Sequence, residues 1–224
     1  FQGYKRKDGS AGIRNEVWII PTVGCVNSIA RAIEAESQQF KTDHIDGIYA
    51  YSHPHGCSQL GDDQTYTQKI LSGLVHSPNA GAVLVLSLGC ENNQVDLMKK
   101  VIGEYDSDRV KFLVCQEVED EIEAGVAIIK TLCSYADQFY RQPCDASLLT
   151  IGLKCGGSDG FSGITANPLV GEISNRLIAA GGTSILTEVP EMFGAETLLM
   201  NRARNKNVFD KTVDLINNFK EYFM

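Results

Sequence analysis

The sequence lacks several features that would place it in a large class of proteins at once. It has no run of the roughly 18 apolar residues that a membrane span needs, and its first residues include no apolar signal segment. Basic residues are in the minority, with 20 Lys and Arg against 28 Asp and Glu, which gives a net charge of −8. Because a negatively charged chain repels phosphate backbones and anionic lipids, we expect no nucleic-acid partner and no membrane partner.

Motifs for several common cofactors are also missing. No Cys-x-x-Cys pair occurs, which argues against a structural zinc ribbon. Neither the Walker phosphate-binding motif nor Gly-x-Gly-x-x-Gly follows a predicted strand, so nucleotide binding has little support. The 7 cysteines are odd in number and scattered, which is typical of reduced thiols and predicts a cytoplasmic location.

Short β-branched runs alternate with longer stretches of helical spacing along most of the chain. This alternation is typical of βαβ units and predicts an α/β fold, a Rossmann-like three-layer sandwich with a mostly parallel sheet. The predicted strands cover 17–21, 47–51, 82–88, 110–115, 147–153 and 183–188, and the predicted helices cover 27–36, 64–75, 93–102, 118–140, 168–179, 191–203 and 208–223. The pattern places Cys133 in the core, predicts packing for Cys25, and assigns structural roles to Cys115 and Cys144.

Polar and reactive side chains follow the ends of four predicted strands. Ligands of parallel sheets bind at this edge, because the loops after the strands converge there. His53, His55 and Cys57 follow the second predicted strand, and Cys90 and Glu91 follow the third. The alternative interpretation, without a functional role, is that the histidines are solvated on a surface loop and that Cys90 is a small buried residue.

Three of the cysteines each follow a different predicted strand, namely Cys57, Cys90 and Cys155. Thiolates that converge from three loops can hold a single iron or an iron–sulfur cluster with one iron open to substrate. Chance placement among 7 cysteines is the alternative. The segment 154–163 adds 4 glycines around Ser158 and Asp159, and such a flexible nest can turn backbone N–H groups toward an anion.

Motifs spread along nearly the whole chain resemble the altronate/galactarate dehydratase family. They are Gly3-Tyr4-Lys5-Arg6, Gly12-Ile13-Arg14-Asn15, His53-Pro54-x-Gly56-Cys57, Leu88-Gly89-Cys90-Glu91, Leu153-Lys154-Cys155-Gly156-Gly157-Ser158-Asp159, Ala166-Asn167-Pro168 and Leu186-Thr187-Glu188-Val189-Pro190-Glu191. The resemblance implies that residues 1–144 form the family's second domain and that 145–224 begin its C-terminal domain.

The resemblance implies a metal-dependent hydro-lyase that removes water from a sugar acid to give a 2-keto-3-deoxy acid. This chemistry needs a base, an acid and positive charge near the carboxylate. We expect iron as cofactor, either Fe²⁺ or an iron–sulfur cluster. The expected metal ligands are Cys57, Cys90, Cys155 and His53, with His55 as another replacement ligand if the iron is mononuclear. The expected catalytic residues are His55, Glu91 and Lys154, and the expected substrate-binding residues are Lys154, Gly156, Gly157, Ser158, Asp159, Glu188 and Glu191.

The sequence leaves other functions and partners open. A sulfo-lyase acting on sulfolactate belongs to the same family, and a Rossmann-like module could bind or assemble without any chemistry. The expected partners are a small sugar acid, a second copy of the chain in a homo-oligomer, and the rest of a longer parent chain, which this fragment could require for activity. Arg14 and Asn15 precede the first predicted strand, so we expect them at the opposite edge from the reactive loops.

Overall fold

A computed structural model describes all residues, 1–224, and divides them into two compact units, Phe1–Asp145 and Ala146–Met224. The strands are β1 (Gln2–Lys5), β2 (Ala11–Gly12), β3 (Glu16–Pro21), β4 (Gly47–Ala50), β5 (Ala80–Ser87), β6 (Val110–Val114), β7 (Gln142–Pro143), β8 (Thr150–Leu153) and β9 (Thr183–Leu186). The helices are α1 (Asn27–Ser37), α2 (Gly61–Val75), α3 (Val95–Ile102), α4 (Glu121–Ala136), α5 (Gly160–Ile164), α6 (Ala166–Ala179), α7 (Glu196–Met200) and α8 (Lys206–Tyr222). No helix combines the length and apolar character that crossing a membrane requires.

The first unit is built on a four-stranded parallel sheet with the order β4-β3-β5-β6. Every residue of β5 is buried, because its run of Ala, Val and Leu is covered on both faces. Alternate residues of β3 separate the two sides. Val17 and Ile19 pack with α1 and α4, whereas Trp18 and Ile20 pack with α2 and α3. The predicted Rossmann-like three-layer fold is therefore confirmed.

The helix α4 shows how the sequence sets an element boundary. The Asp120 carboxylate accepts hydrogen bonds from the backbone N–H groups of Ile122 and Glu123, at 2.9 and 2.8 Å, and caps the first turn. Cys133, on the apolar stripe of this helix, is buried in the core as predicted. Cys115 and Cys144 are buried as well.

Three short strands that the sequence pattern missed form a second, antiparallel sheet with the order β2-β1-β7. Register pairs Gln2 with Pro143 and Gly3 with Gln142, so the beginning and the end of the first unit lie side by side. These strands have two to four residues each and carry no repeating apolar pattern, which is why periodicity did not indicate them.

The amino ends of the parallel strands are held by a buried polar clamp around Asn15, which is 0% exposed. Its side chain accepts from Arg6 Nη1 at 2.8 Å and donates to the carbonyls of His44 and Ala136 at 2.8 and 2.9 Å. Arg14 lies beside it and donates to Glu16 over 2.9 Å. As predicted, Arg14 and Asn15 lie at the opposite edge of the sheet from the reactive loops. Their hydrogen bonds there hold the polypeptide around the starts of the strands together.

The second unit contains a two-stranded parallel sheet of β8 and β9 with four helices. Ile216 on α8 is its one buried hydrophobic residue, at 1% exposure. The predicted helix at 191–203 is confirmed only over Glu196–Met200. Pro190 begins a 3₁₀ turn over Val189–Met192, and Gly194 then takes a φ of +89°, so regular helix resumes only in α7.

Candidate active-site edge of the first unit

The loops after β3, β4 and β5 are joined by hydrogen bonds at the carboxyl edge of the parallel sheet. His53 lies in the loop after β4, and its Nε2 is 2.8 Å from the carbonyl oxygen of Pro21 at the end of β3. Its Nδ1 accepts from the backbone N–H of His55 at 3.2 Å. These two bonds require the Nε2–H tautomer, because Nδ1 must accept while Nε2 donates.

The role of His53 as a metal ligand stays a prediction, and both of its ring nitrogens hydrogen-bond to the backbone in this arrangement. The ring of His55 lies nearly parallel to that of His53, with 6.0 Å between the centroids and 19° between the planes. His55 is exposed, and its ring nitrogens make no hydrogen bond within the chain, so its imidazole is available for proton transfer.

Two glycines allow the loops after β3 and β4 to approach so closely. The backbone N–H of Gly24 donates to the carbonyl of His55 at 2.8 Å. Gly56 has a φ of +103°, and a Cβ at this position would lie 2.2 Å from the carbonyl oxygen of Thr22. A side chain at Gly56 would therefore force the two loops apart.

Glu91 is the central hydrogen-bond acceptor of this edge and is only 2% exposed. Its Oε1 accepts from the hydroxyls of Thr22 and Ser87, both at 2.5 Å, and from the Leu88 N–H at 3.2 Å. Its Oε2 accepts from the Gly89 N–H at 2.7 Å. Burial raises the pKa of Glu91, but these hydrogen bonds outweigh it and hold the pKa below its ordinary value.

The two residues after Glu91 extend this network to the neighbouring loops. Asn92 Nδ2 donates to the carbonyl of Gln59 at 3.2 Å, in the loop after β4. Asn93, which is buried, donates from Nδ2 to the carbonyl of Thr22 at 3.2 Å. The sequence pattern assigned no role to Thr22, Ser87 or Asn93. The partners of Thr22 and Asn93 lie about 70 residues away, and a serine at the end of a strand, such as Ser87, is not distinctive. The short Glu91–Asn93 segment thus contacts all three loops.

The thiols of the first unit divide cleanly between core and edge. Cys57 and Cys90 are exposed, as the prediction of reactive edge cysteines requires. Cys57 Sγ lies 3.9 Å from the Ser58 hydroxyl, and Cys90 Sγ accepts from Gln116 Nε2 at 3.8 Å. Cys25 is also exposed, in a 3₁₀ turn that precedes α1, so the prediction that it packs is wrong.

These side chains do not make up a complete iron site. Thiolates suit iron, but within neither unit do three His, Cys, Asp or Glu side chains come together in a way that could hold a metal ion. Both ring nitrogens of His53 and both carboxylate oxygens of Glu91 take part in hydrogen bonds within the protein.

In the second unit, the loops after β8 and β9 meet at Glu188. Lys154 Nζ lies 3.1 Å from Glu188 Oε1, and the backbone N–H of Cys155 donates to Glu188 Oε2 at 3.0 Å. These partners lower the pKa of Glu188, the Cys155 N–H more than Lys154. Glu188 has a φ of +61°, which is uncommon for a residue with a side chain and is stabilised here by its bonds.

The other predicted substrate-binding residues of this unit are exposed, namely Gly156, Gly157, Ser158, Asp159 and Glu191. The substrate-binding roles of the glycine nest and of Asp159 stay predictions, and Asp159 also makes local hydrogen bonds. Its own carboxylate accepts from the backbone N–H groups of Phe161 and Ser162, at 2.9 and 2.8 Å, and so already occupies the N-terminus of α5. Ser158 Oγ lies 3.6 Å from Cys155 Sγ.

Comparison with known families matches both parts of the chain. The model of the D-galactarate dehydratase/altronate hydrolase second domain covers residues 3–137, and that of the D-galactarate/altronate dehydratase C-terminal domain covers residues 146–224. The chain belongs to the altronate/galactarate dehydratase family.

Curated relatives support the same assignment at high identity. The chain is 56% identical over 229 positions to altronate dehydratase of Bacillus subtilis strain 168, and 51% identical over 225 positions to altronate dehydratase of Escherichia coli K12. Both alignments cover 100% of this chain but 46% of the relative. The beta subunit of (2R)-sulfolactate sulfo-lyase from Chromohalobacter salexigens is 32% identical, over 94% of this chain and 52% of that protein. The chain thus spans about half the length of the curated relatives it matches.

In this member of the altronate/galactarate dehydratase family, the resemblance motifs have two different structural roles. Arg6 and Asn15 stabilise the amino edge of the sheet, far along each strand from the reactive loops. Gly56 and Glu91 instead organise the carboxyl edge, where Cys57 and Cys90 are exposed. Only the second group lies where the chemistry of a parallel sheet takes place.

Proposed function

We propose that the protein to which this chain belongs dehydrates a sugar acid of the altronate or galactarate type to a 2-keto-3-deoxy acid. The observation that supports this most is the identity of 51–56% to altronate dehydratases over the whole of this chain. The organised carboxyl edge of the first unit agrees with it, because an exposed imidazole and exposed thiols lie on a rigid, hydrogen-bonded base there.

The reaction requires two proton transfers. A base takes the proton from the carbon beside the carboxylate, the C–O bond at the next carbon breaks, and the hydroxyl leaves with a proton as water. These two transfers give an enol, which becomes the ketone when its β-carbon gains a proton and its hydroxyl oxygen loses one. We propose that His55 carries out proton transfer, since its imidazole is exposed and its ring nitrogens make no hydrogen bond within the chain. Iron, if bound, would supply Lewis acidity to the leaving hydroxyl.

A sulfo-lyase is the second candidate function, and the 32% identity to a sulfolactate sulfo-lyase subunit favours it. A non-catalytic binding module is the third. An assay that offers altronate, galactarate and sulfolactate to the natural polypeptide containing this chain decides among them. We expect a 2-keto-3-deoxy acid from a sugar acid, release of sulfite would favour the sulfo-lyase, and no turnover would contradict both lyases. The same assay on residues 1–224 alone tests whether further sequence is needed.

Lys154 is proposed to bind the substrate carboxylate from the second unit. Its side chain is 72% exposed, so its pair with Glu188 adds little to stability and leaves the ammonium accessible. In the natural polypeptide, we expect Lys154→Ala to lower kcat/KM for the sugar acid by about 10²-fold. Steady-state kinetics measures this.

Arg176→Ala is the matched control for Lys154. Arg176 forms an exposed pair with Glu172 at 2.8 Å in the same unit, and no role in the reaction is proposed for it. Equal kinetics for Lys154→Ala and Arg176→Ala would show that Lys154 is only a solvated loop residue.

Iron binding through cysteine remains a prediction from the family resemblance. In the natural polypeptide purified without oxygen, we expect Cys57→Ala, Cys90→Ala and Cys155→Ala each to weaken iron binding by at least about 10-fold, since even residues behind the ligands can matter that much. Iron, zinc and sulfide analysis measures it. Cys133→Ala, in the core, is the control, and an equal loss of iron from that folded variant would contradict the assignment.

A further inference from the structure

We propose that Glu91 is a positioning residue, which fixes the turn bearing Cys90 to the end of β3 and exchanges no proton with the substrate. This differs from the acid–base role that the sequence suggested for it. The kinetic consequence of the proposal rests on the proposed dehydratase function. The structural consequence, the rigidity of the carboxyl edge, does not.

Hydrogen bonds and burial together hold Glu91 back from a substrate. Four donors address its carboxylate, three at Oε1 and one at Oε2, which leaves one lone-pair site of Oε2 open inside the buried network. Thr22, Ser87 and Leu88 donate to Oε1, and Gly89 donates to Oε2. With the residue 2% exposed as well, a substrate could reach this carboxylate only after the loop had come apart.

The turn that Glu91 holds has Cys90 on its outer side. Gly89 takes a φ of +123°, and a Cβ there would lie 2.8 Å from the side-chain oxygen of Gln116. Gln116 in turn donates to Cys90 Sγ from Nε2. The turn is therefore packed between Glu91 on the inside and Gln116 on the outside, so movement of the Glu91 carboxylate moves Cys90.

The same carboxylate joins two loops that the sequence separates by about 70 residues. Thr22 follows β3 and Ser87 ends β5, and these neighbouring strands bring both hydroxyls to Oε1 at 2.5 Å. The loop after β4 also contacts the end of β3 and the loop that follows it, through His53 and Gly56. Loosening Glu91 is therefore expected to disturb the loop that bears His55 as well as the turn that bears Cys90.

A pair of variants at Thr22 tests the structural part without altering the carboxylate. Thr22→Val keeps the side-chain shape but removes the hydroxyl donor, whereas Thr22→Ser keeps the donor. We expect amide hydrogen exchange of Leu88 and Gly89 to quicken about 10-fold in Thr22→Val, the usual effect of losing one hydrogen bond to a charge, and to return toward the parent in Thr22→Ser. Exchange in the 154–160 segment serves as the control. Unchanged exchange in Thr22→Val would overturn the proposal.

Glu91→Gln separates positioning from acid–base catalysis. The glutamine oxygen can still accept from the Gly89 N–H, and its NH₂ group can donate to the hydroxyls of Thr22 and Ser87. The same NH₂ group would face the Leu88 N–H, so two donors would meet there. For a positioning residue, we expect kcat of the natural polypeptide to fall by about 10-fold with KM nearly unchanged, and exchange at Leu88 to quicken. An acid–base residue would instead lose about 10²- to 10⁴-fold in kcat.

Hydrogen exchange tests the positioning role of Glu91, and turnover of a sugar acid tests the proposed function, so one proposal can fail without the other. A large loss of kcat in Glu91→Gln with unchanged exchange at Leu88 and Gly89 would overturn the positioning role in favour of proton transfer. If the parent turns over no sugar acid, the proposed function fails. The exchange data from Thr22→Val and Thr22→Ser then still decide whether Glu91 fixes the turn.

Discussion

Replacing His55 with alanine is expected to lower kcat for sugar-acid dehydration by about 10²- to 10⁴-fold, with a smaller effect on KM. His55 is exposed at the active-site edge, and its ring nitrogens make no hydrogen bond within the chain. Both ring nitrogens of His53, in contrast, hydrogen-bond to the backbone. A group that acts on the transition state affects kcat more than ground-state binding. Initial-rate measurements on the natural polypeptide give both constants.

His44→Ala is the appropriate control for this variant. His44 is an exposed histidine of the same unit, but it precedes β4 and lies 3.0 Å from the carbonyl of Asp137, away from the reactive loops. We expect its kinetics to match the parent. If His55→Ala also matches the parent, the imidazole only stiffens its loop, and proton transfer has to be sought at another residue.

The second large effect is expected from Gly56→Ala, which should lower the free energy of unfolding by about 3 kcal/mol or more. Two costs add here, the strained positive φ and the overlap of the new methyl group with the Thr22 carbonyl, each of about 1–3 kcal/mol. The methyl would also lie 2.8 Å from Val23 Cα, so no side-chain movement can relieve it. Urea denaturation of the 224-residue chain measures the change.

Gly61→Ala isolates the first of these costs. Gly61 also has a positive φ, +54°, but no atom lies within 4 Å of a Cβ placed there. We expect this variant to lose only about 1–2 kcal/mol, the cost of left-handed backbone for alanine. Equal destabilisation by the two substitutions would refute the close approach of the loops after β3 and β4 at Gly56.

The parallel sheet could be predicted from sequence because its strands are apolar throughout and its helices are amphipathic. The run at Ala80–Ser87 and the stripe that includes Cys133 are strong local signals. The sheet of β1, β2 and β7 gave no such signal, since it depends on the pairing of Gly3 with Gln142, which lie far apart in sequence. Local patterns cannot report a contact of that range.

For the candidate site, the sequence could indicate which loops matter but not what each side chain does there. His53 and Glu91 were predicted as ligand and acid–base residue because of their chemical type. The hydrogen bonds that they make depend on partners such as Pro21 and Thr22, at the end of another strand. A buried carboxylate and an exposed one look the same in sequence, and only the fold distinguishes them.

The pairing of β1 with β7 has a consequence for how the first unit fits into a polypeptide. The Cys144 N–H donates to the Phe1 carbonyl at 2.8 Å, so the chain enters and leaves this unit at neighbouring points. A unit closed in this way is modular, because it can be inserted into a longer protein without its two halves being pulled apart.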